Sequence, residues 1–316
     1  METSTLVYLF TCLPVYRSTG LPVYFSPPMS LPSFLLILGS ACIHVVAHVA
    51  LKRTRDRVAF TWWILLWGCV LFAPVLALKW QTIPPVGWAI MAFSAVFEAG
   101  YFAAIAQAYQ TGDLSVVYPL ARGTAPLLTL IWATAFLKEQ TQWGGVIGIA
   151  LIALGLYVVN LPKLGAWLEP LRELNRPGPR YALLAGLCIS GYTVIDRVGI
   201  NYVSPLLYTY LALWMTLALL TPFTLRAVGG SGLTQELRHS RFNSVISGFT
   251  NLAAYAIVLY AMLAGTPASY AGAVREVSVV LGTAIGIFIL KEPGTWMRLA
   301  GALLVAAGVI AIKVLG

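Results

Sequence analysis

The most constraining feature of this chain is a stretch that occurs twice. Residues Ala108–Gly155 slide onto Ala261–Gly308 by 153 positions without a gap. Gly112 falls on Gly265, Arg122 on Arg275, Trp143 on Trp296, Gly148 on Gly301 and Gly155 on Gly308. Leu137-Lys138-Glu139 falls on Leu290-Lys291-Glu292. Each copy reads as two apolar helices joined at the Leu-Lys-Glu corner, so the chain is expected to be built from two similar halves.

Composition says where such halves can live. Of 316 residues, 59% are hydrophobic and only 10% are charged, against about 25% charged in soluble domains. Most of the chain must therefore face lipid or other apolar helices. The net charge of +9 does not indicate nucleic acid, because the basic residues sit in short gaps between apolar runs and form no stripe. Cys12, Cys42, Cys69 and Cys188 contain no C-x-x-C pair and read as small buried hydrophobes.

Ten apolar runs, each near the roughly 20 residues that cross a bilayer, fall at about 33–51, 58–78, 86–109, 114–137, 142–160, 180–200, 204–226, 242–264, 268–290 and 296–315. Unpaired backbone groups are intolerable in hydrocarbon, so these runs are expected to be helices. The expected fold is an all-α integral membrane protein of ten transmembrane helices in two five-helix repeats. Five is odd, so the second repeat enters the membrane in the opposite sense to the first.

The expected units are an N-terminal extension over 1–31, a first repeat over 32–160, a linker over 161–179 and a second repeat over 180–316. The extension, with Pro14, Pro22, Pro27, Pro28 and Arg17, lacks the basic start and long apolar core of a signal peptide and is expected to be disordered. The linker carries an apolar stripe (Leu164, Trp167, Leu168, Leu171, Leu174) that suits a short interfacial helix, with a plain connector as the alternative. The Gly-rich gap around 227–241 is expected to be a polar loop. Apart from Arg122 and Arg275, 18 Lys and Arg remain: 13 on the side reached after odd-numbered helices and five on the other. The positive-inside rule puts the richer side in the cytoplasm and both termini outside.

Tyr118-Pro119-Leu120, then Pro126, then Leu137-Lys138-Glu139, then the helix with Gly148 and Gly155, resemble the EamA domain of the drug/metabolite transporter superfamily. The second copy matches through Leu290-Lys291-Glu292, Gly301 and Gly308 but has no proline at either equivalent site. His44, His48 and Lys52 are similar to the first helix of some relatives, which carry a Trp-Asn pair where this chain has Ala47-His48. The resemblance implies ten helices around a central cavity and transport of small metabolites, often outward.

Ionisable groups inside a membrane helix cost roughly 2.5–3.5 kcal/mol each on insertion scales, so they tend to be functional or paired. Glu98, midway along the third run, is such a group. It can hold a proton or a substrate amine, or form a structural ion pair with an arginine. Its repeat partner is Asn251. Arg122 and Arg275 can each grip a carboxylate or phosphate, or pair structurally, and Glu276 follows Arg275 directly. Pro119 removes a backbone donor one turn before Arg122. Tyr118 shares the face of Arg122; Tyr101 lies near the Glu98 face; Tyr192 and Tyr255 are similarly deep. Tyrosines there suit a cavity for amphipathic metabolites and equally suit packing.

His44 and His48 stand four apart, as metal ligands can, but no third ligand is evident. Substrate or proton contact and a hydrogen bond to a neighbouring helix are the other readings. Gly144–Gly148 and Gly282–Gly286 have small-xxx-small spacing for close helix approach, within the bundle or in a homodimer. Trp143, Trp296 and Trp167 fit an aromatic belt. No phosphate-binding glycine loop is present, so ATP is not the driving force.

The sequence thus points to a secondary active transporter of a bacterial inner membrane with no cofactor. It would move small metabolites, and outward movement of amino acids or related amphipathic compounds is favoured, with the proton as a possible coupling ion. Import by the same fold is the alternative. A metal-dependent intramembrane enzyme using His44 and His48, or a non-transporting partner protein, are the readings from other classes.

Overall fold

A computed structural model describes residues 29–51, 54–111, 114–159, 161, 165, 167–168, 173–285, 287 and 296–316. Residues 1–28 of the expected extension, Leu164 and Leu171 of the linker stripe, and the second Leu-Lys-Glu corner lie outside the described residues. All regular structure among the described residues is helical. The elements are α1 (Leu31–Leu51), α2 (Arg57–Leu71), α3 (Pro74–Lys79), α4 (Pro85–Thr111), α5 (Leu114–Phe136), α6 (Trp143–Val159), a 3-10 turn (Glu173–Asn175), α7 (Pro177–Gly199), α8 (Pro205–Leu263), α9 (Ala268–Arg275), α10 (Val277–Ala284) and α11 (Trp296–Leu315). Four of them, α4, α7, α8 and α11, are long and apolar enough to cross a membrane.

The helix starts follow from local chemistry. Asp56 caps α2, its carboxylate accepting from Val58 N at 2.9 Å and Ala59 N at 3.0 Å. Proline stands in the first turn of α3, α7 and α8, where its missing N–H costs nothing.

Two departures from the sequence reading stand out. First, the gap at 227–241 is not a loop. The stretch α8 is broken there by non-helical backbone at Gly229 (φ 68°, ψ 172°) and Ser240 (φ −121°, ψ 25°), and the residues between the two breaks form a short helix of their own. Gly229 adopts a backbone conformation open mainly to glycine. Beyond it the buried Glu236 side chain accepts from Asp56 N at 2.9 Å and from Ser240 Oγ at 2.7 Å. The first of these contacts ties this segment to the start of α2, and the second holds Glu236 to Ser240 within the segment. Second, the run at 268–290 breaks at Glu276 into α9 and α10. There Glu276 N bonds Ala273 O at 3.0 Å and Val279 N bonds Glu276 O at 2.9 Å, a tightening to the three-residue spacing of a 3-10 turn.

The two Gly-spaced helices pack on each other. Gly148 of α6 lies against Gly308 of α11, and Gly155 lies against Gly301. The pairing runs in opposite directions along the two helices, so they are antiparallel. A Cβ on Gly155 would sit 2.7 Å from Gly301 O, and one on Gly308 would sit 2.5 Å from Gly148 O, so neither position admits a side chain. The contact is reciprocal under the 153-residue shift. Gly148 and Gly301 are equivalent in the repeat, as are Gly155 and Gly308, and each meets the other's partner. Gly282 has open space instead, and Gly286 lies outside the described residues.

Elsewhere α4 packs along α7, and α8 packs along α1, where Ser40 Oγ donates to Ala254 O in the last third of α8. The apolar core runs between these layers, from Met29 and Ile37 through Tyr208, Leu252 and Val305. Trp143 and Trp296 stand exposed at the starts of α6 and α11.

The first Leu-Lys-Glu corner turns on Lys138, whose φ is 55°, the left-handed conformation that commonly ends a helix. The turn sends Glu139 inward. Its carboxylate accepts from Ala268 N at 2.7 Å, Ser269 N at 3.3 Å and Ser269 Oγ at 2.9 Å. The corner of the first copy therefore caps α9 of the second, satisfying helix-end donors that would otherwise be orphaned.

Candidate functional site

A cavity of about 620 Å³ lies between α1, α2, α4, α5, α7, α8 and α9. Its mouth is at Arg55, Arg57 and Ala227, which are exposed. Its deeper wall carries Glu98, Tyr101, Arg122, Tyr192, Tyr255 and Arg275. His44 and Asn251 complete the opposite side. Eight of the ten residues singled out from sequence thus border one space. The side chains of Tyr118 and His48 lie outside the described residues. Among the described residues no group of three His, Cys, Asp or Glu side chains could hold a metal ion.

The charges are arranged unequally. Arg122 Nη1 donates to Glu276 Oε1 at 2.9 Å, with both side chains buried. This ion pair joins α5 to the break between α9 and α10. Neighbours on a helix point apart, and the break does the same here: Glu276 turns to Arg122 while Arg275 borders the cavity. Arg275 stands over the ring of Tyr255, 5.7 Å from its centroid, and its Nε has no hydrogen-bond partner among the described residues.

Glu98 Oε2 accepts from Thr216 Oγ1 at 2.7 Å. Among the described residues it makes no ion pair, although Arg275 and Asp196 lie within electrostatic reach. The rings of Tyr101, Tyr192 and Tyr255 follow one another edge-on, with centroids 6.5 and 6.1 Å apart.

Sequence reasoning missed Asp196 of α7. It is 2% exposed and lies behind the cavity wall. Ser94 and Tyr208 (2.7 Å) donate to its Oδ1, and Tyr255 donates to its Oδ2. A signal was available, since Asp196 sits inside an apolar run as Glu98 does. Gly199 makes room for the arrangement: a Cβ there would lie 2.1 Å from the Tyr208 ring.

A multi-helix apolar bundle around a cavity that bears both signs of charge is the architecture of a membrane carrier for small molecules. The chain belongs to the EamA-like transporter family, whose model matches residues 31–161 and again 176–314. It is 25% identical over 275 residues to a protein of Archaeoglobus fulgidus described as an uncharacterized transporter, covering 84% of this chain and 89% of that one. A solved crystal structure of another protein superposes with a TM-score of 0.65 at 15% identity, covering 90% of this chain and 97% of the other; this likeness concerns the fold alone. The protein is a multi-pass membrane transporter, and its substrate is a small molecule.

Proposed function

We propose that the protein is a secondary active carrier that moves zwitterionic, amphipathic metabolites, amino acids foremost, outward by alternating access. The observation that carries this reading is the pairing of charges on one cavity wall. Arg122 is occupied by Glu276, which leaves Arg275 and Glu98 facing the space with opposite signs. Arg275 suits a carboxylate, Glu98 suits an ammonium group, and the tyrosine row between them suits an apolar or aromatic side chain.

In this reading ten helices cross the membrane as an inverted repeat, with units over 32–160 and 180–316. The reciprocal antiparallel crossing of α6 and α11 supports it, because a two-fold axis in the membrane plane pairs equivalent positions in this way. The mouth at Arg55 and Arg57 falls on the side rich in Lys and Arg. The positive-inside rule makes that side cytoplasmic, so the cavity faces inward, ready to load a cytoplasmic solute in a bacterial inner membrane.

The test is equilibrium binding of labelled L-phenylalanine to purified protein. It should be displaced by the unmodified amino acid, weakly by its N-acetyl form and weakly by its methyl ester. Equal displacement by all three would refute the two-ended grip.

A further inference from the structure

Three buried carboxylates of the molecule, Glu276, Glu139 and Asp196, are held in three different ways. Glu276 is held by a guanidinium. Glu139 is held largely by backbone amides at a helix start. A guanidinium and a backbone amide can only donate, so these contacts fix a charged carboxylate in place, with the Ser269 hydroxyl as the one exception at Glu139. Asp196 is held by three hydroxyls, those of Ser94, Tyr208 and Tyr255, whereas Glu98 has a single hydroxyl partner, Thr216, among the described residues. A hydroxyl can donate or accept. Asp196 can therefore gain a proton and keep its hydrogen bonds by reversing one of them.

The position of Tyr255 adds a route. Its side chain borders the cavity, while its hydroxyl reaches Asp196, which does not. Tyr255 is thus the one group that touches both the cavity and the buried acid among the described residues.

We propose that Asp196 is the binding site of the coupling proton, reached from the cavity through the Tyr255 hydroxyl. This rests on the carrier reading above and deepens it. A proton arriving from cavity water binds the Tyr255 oxygen as the tyrosine's own hydrogen passes to Asp196 Oδ2. The tyrosine is neutral before and after, the carboxylate becomes a carboxylic acid, and the hydrogen bond now runs from Asp196 to Tyr255. Release reverses both transfers. Glu98 is thereby left for the ammonium group of the solute.

The groups facing Asp196 from the surrounding helices agree with this. Helix α4 contributes Ser94 and, toward the cavity, Glu98; α8 contributes Tyr208 and Tyr255; α9 contributes Arg275. On α5, Arg122 is held by Glu276, and on α7 itself Tyr192 lies toward Arg275. Asp196 also joins α4, α7 and two separate stretches of α8, at Tyr208 and Tyr255. Its protonation would change the bonds that hold these helices together, which is what coupling requires.

The test is infrared titration of the full chain in lipid nanodiscs, following the carbonyl band of protonated carboxyl groups. The expected result is a titrating band that is lost in Asp196→Asn, kept in Glu98→Gln, and moved in frequency in Tyr255→Phe and Ser94→Ala. Retention of every titrating band in Asp196→Asn would overturn the proposal. If that variant does not fold, unchanged bands in both Tyr255→Phe and Ser94→Ala would overturn it.

A second readout separates the two readings. Initial uptake of L-phenylalanine into proteoliposomes is measured across pH for wild type and Asp196→Asn, and the pH response should flatten in the variant. No uptake by wild type would sink the choice of solute while the infrared assignment stands as support for the proton site. Uptake with an unchanged pH response in Asp196→Asn would sink the coupling role alone.

Discussion

Two seams of this molecule have the same construction and different chemistry. In one, α4 packs along α7; in the other, α8 packs along α1, with the Ser40 contact in the last third of α8. Helix α4 and that part of α8 correspond in the repeat, with Glu98 opposite Asn251 and Ser94 opposite Ser247. The first seam holds Glu98 and Asp196, a row of tyrosines, and Ser94 bonded to Asp196. The second holds Asn251, His44 and Ser40, whose hydroxyl donates to Ala254 O at 2.7 Å. Ser247 Oγ is buried with no partner among the described residues, and α1 carries no Asp or Glu along its length. The two seams thus share equivalent sequence positions, while their acidic side chains lie in the first alone among the described residues. A one-sided site can bind a solute in one orientation and needs only one coupling group.

The ion pair that stands between the seams gives the largest expected effect. Arg122→Ala leaves the buried Glu276 charge uncompensated, and breaking a buried pair in this way costs about 3–5 kcal/mol. Thermal unfolding in detergent should show a marked loss of stability, largely restored in the double variant Arg122→Ala/Glu276→Ala. If the double variant is no better, the pair is not what holds Glu276.

Next come the equivalent positions themselves. Glu98→Gln removes a charge-assisted contact worth roughly 1.5–3 kcal/mol, and Asn251→Ala removes a neutral one worth about 0.5–1.5 kcal/mol. Binding of L-phenylalanine should weaken by roughly ten- to a hundredfold in the first and by no more than about tenfold in the second. Equal losses would erase the contrast between the seams.

The shared axis comes third. Gly155→Val pushes a side chain into the backbone of α11, and overpacking of this kind typically costs about 1–3 kcal/mol. Lower stability should be accompanied by weaker binding, because α6 and α11 hold the two halves in register. Normal stability would show that the crossing is looser than described.

The smallest effect separates the two serines. Ser94→Ala loses a hydrogen bond to Asp196 and should cost about 1 kcal/mol, whereas Ser247→Ala loses none and should be neutral or stabilising. Unfolding midpoints of the two variants decide the matter.

Much of this was legible in the chain. The apolar runs announced an all-helical chain, since lipid leaves the backbone few other choices, and four of the helices among the described residues are long and apolar enough to cross a membrane. The repeat singled out Arg122, Arg275, Glu98 and Asn251, and all four border one cavity. Partnership was not legible. That Arg275 and Glu276 point apart follows from their adjacency, but nothing in the pair says that the helix breaks at Glu276 or that Arg122 is its partner. Glu139 reads as a corner residue until its reach to Ser269 is seen. Asp196 was overlooked, and only packing shows its partners. The 227–241 segment was misread because glycine and polar residues usually mean a loop. Here tertiary contacts of Glu236, and of Leu233 O with the Trp63 indole at 2.9 Å, hold a helix together instead.

The most direct test of the central claim is flux of L-phenylalanine and related zwitterions across proteoliposomes containing wild type or Glu98→Gln. Saturable, solute-specific flux in wild type that is lost in Glu98→Gln is the predicted result. Flux that is unchanged by Glu98→Gln would contradict a carrier organised around the acidic seam.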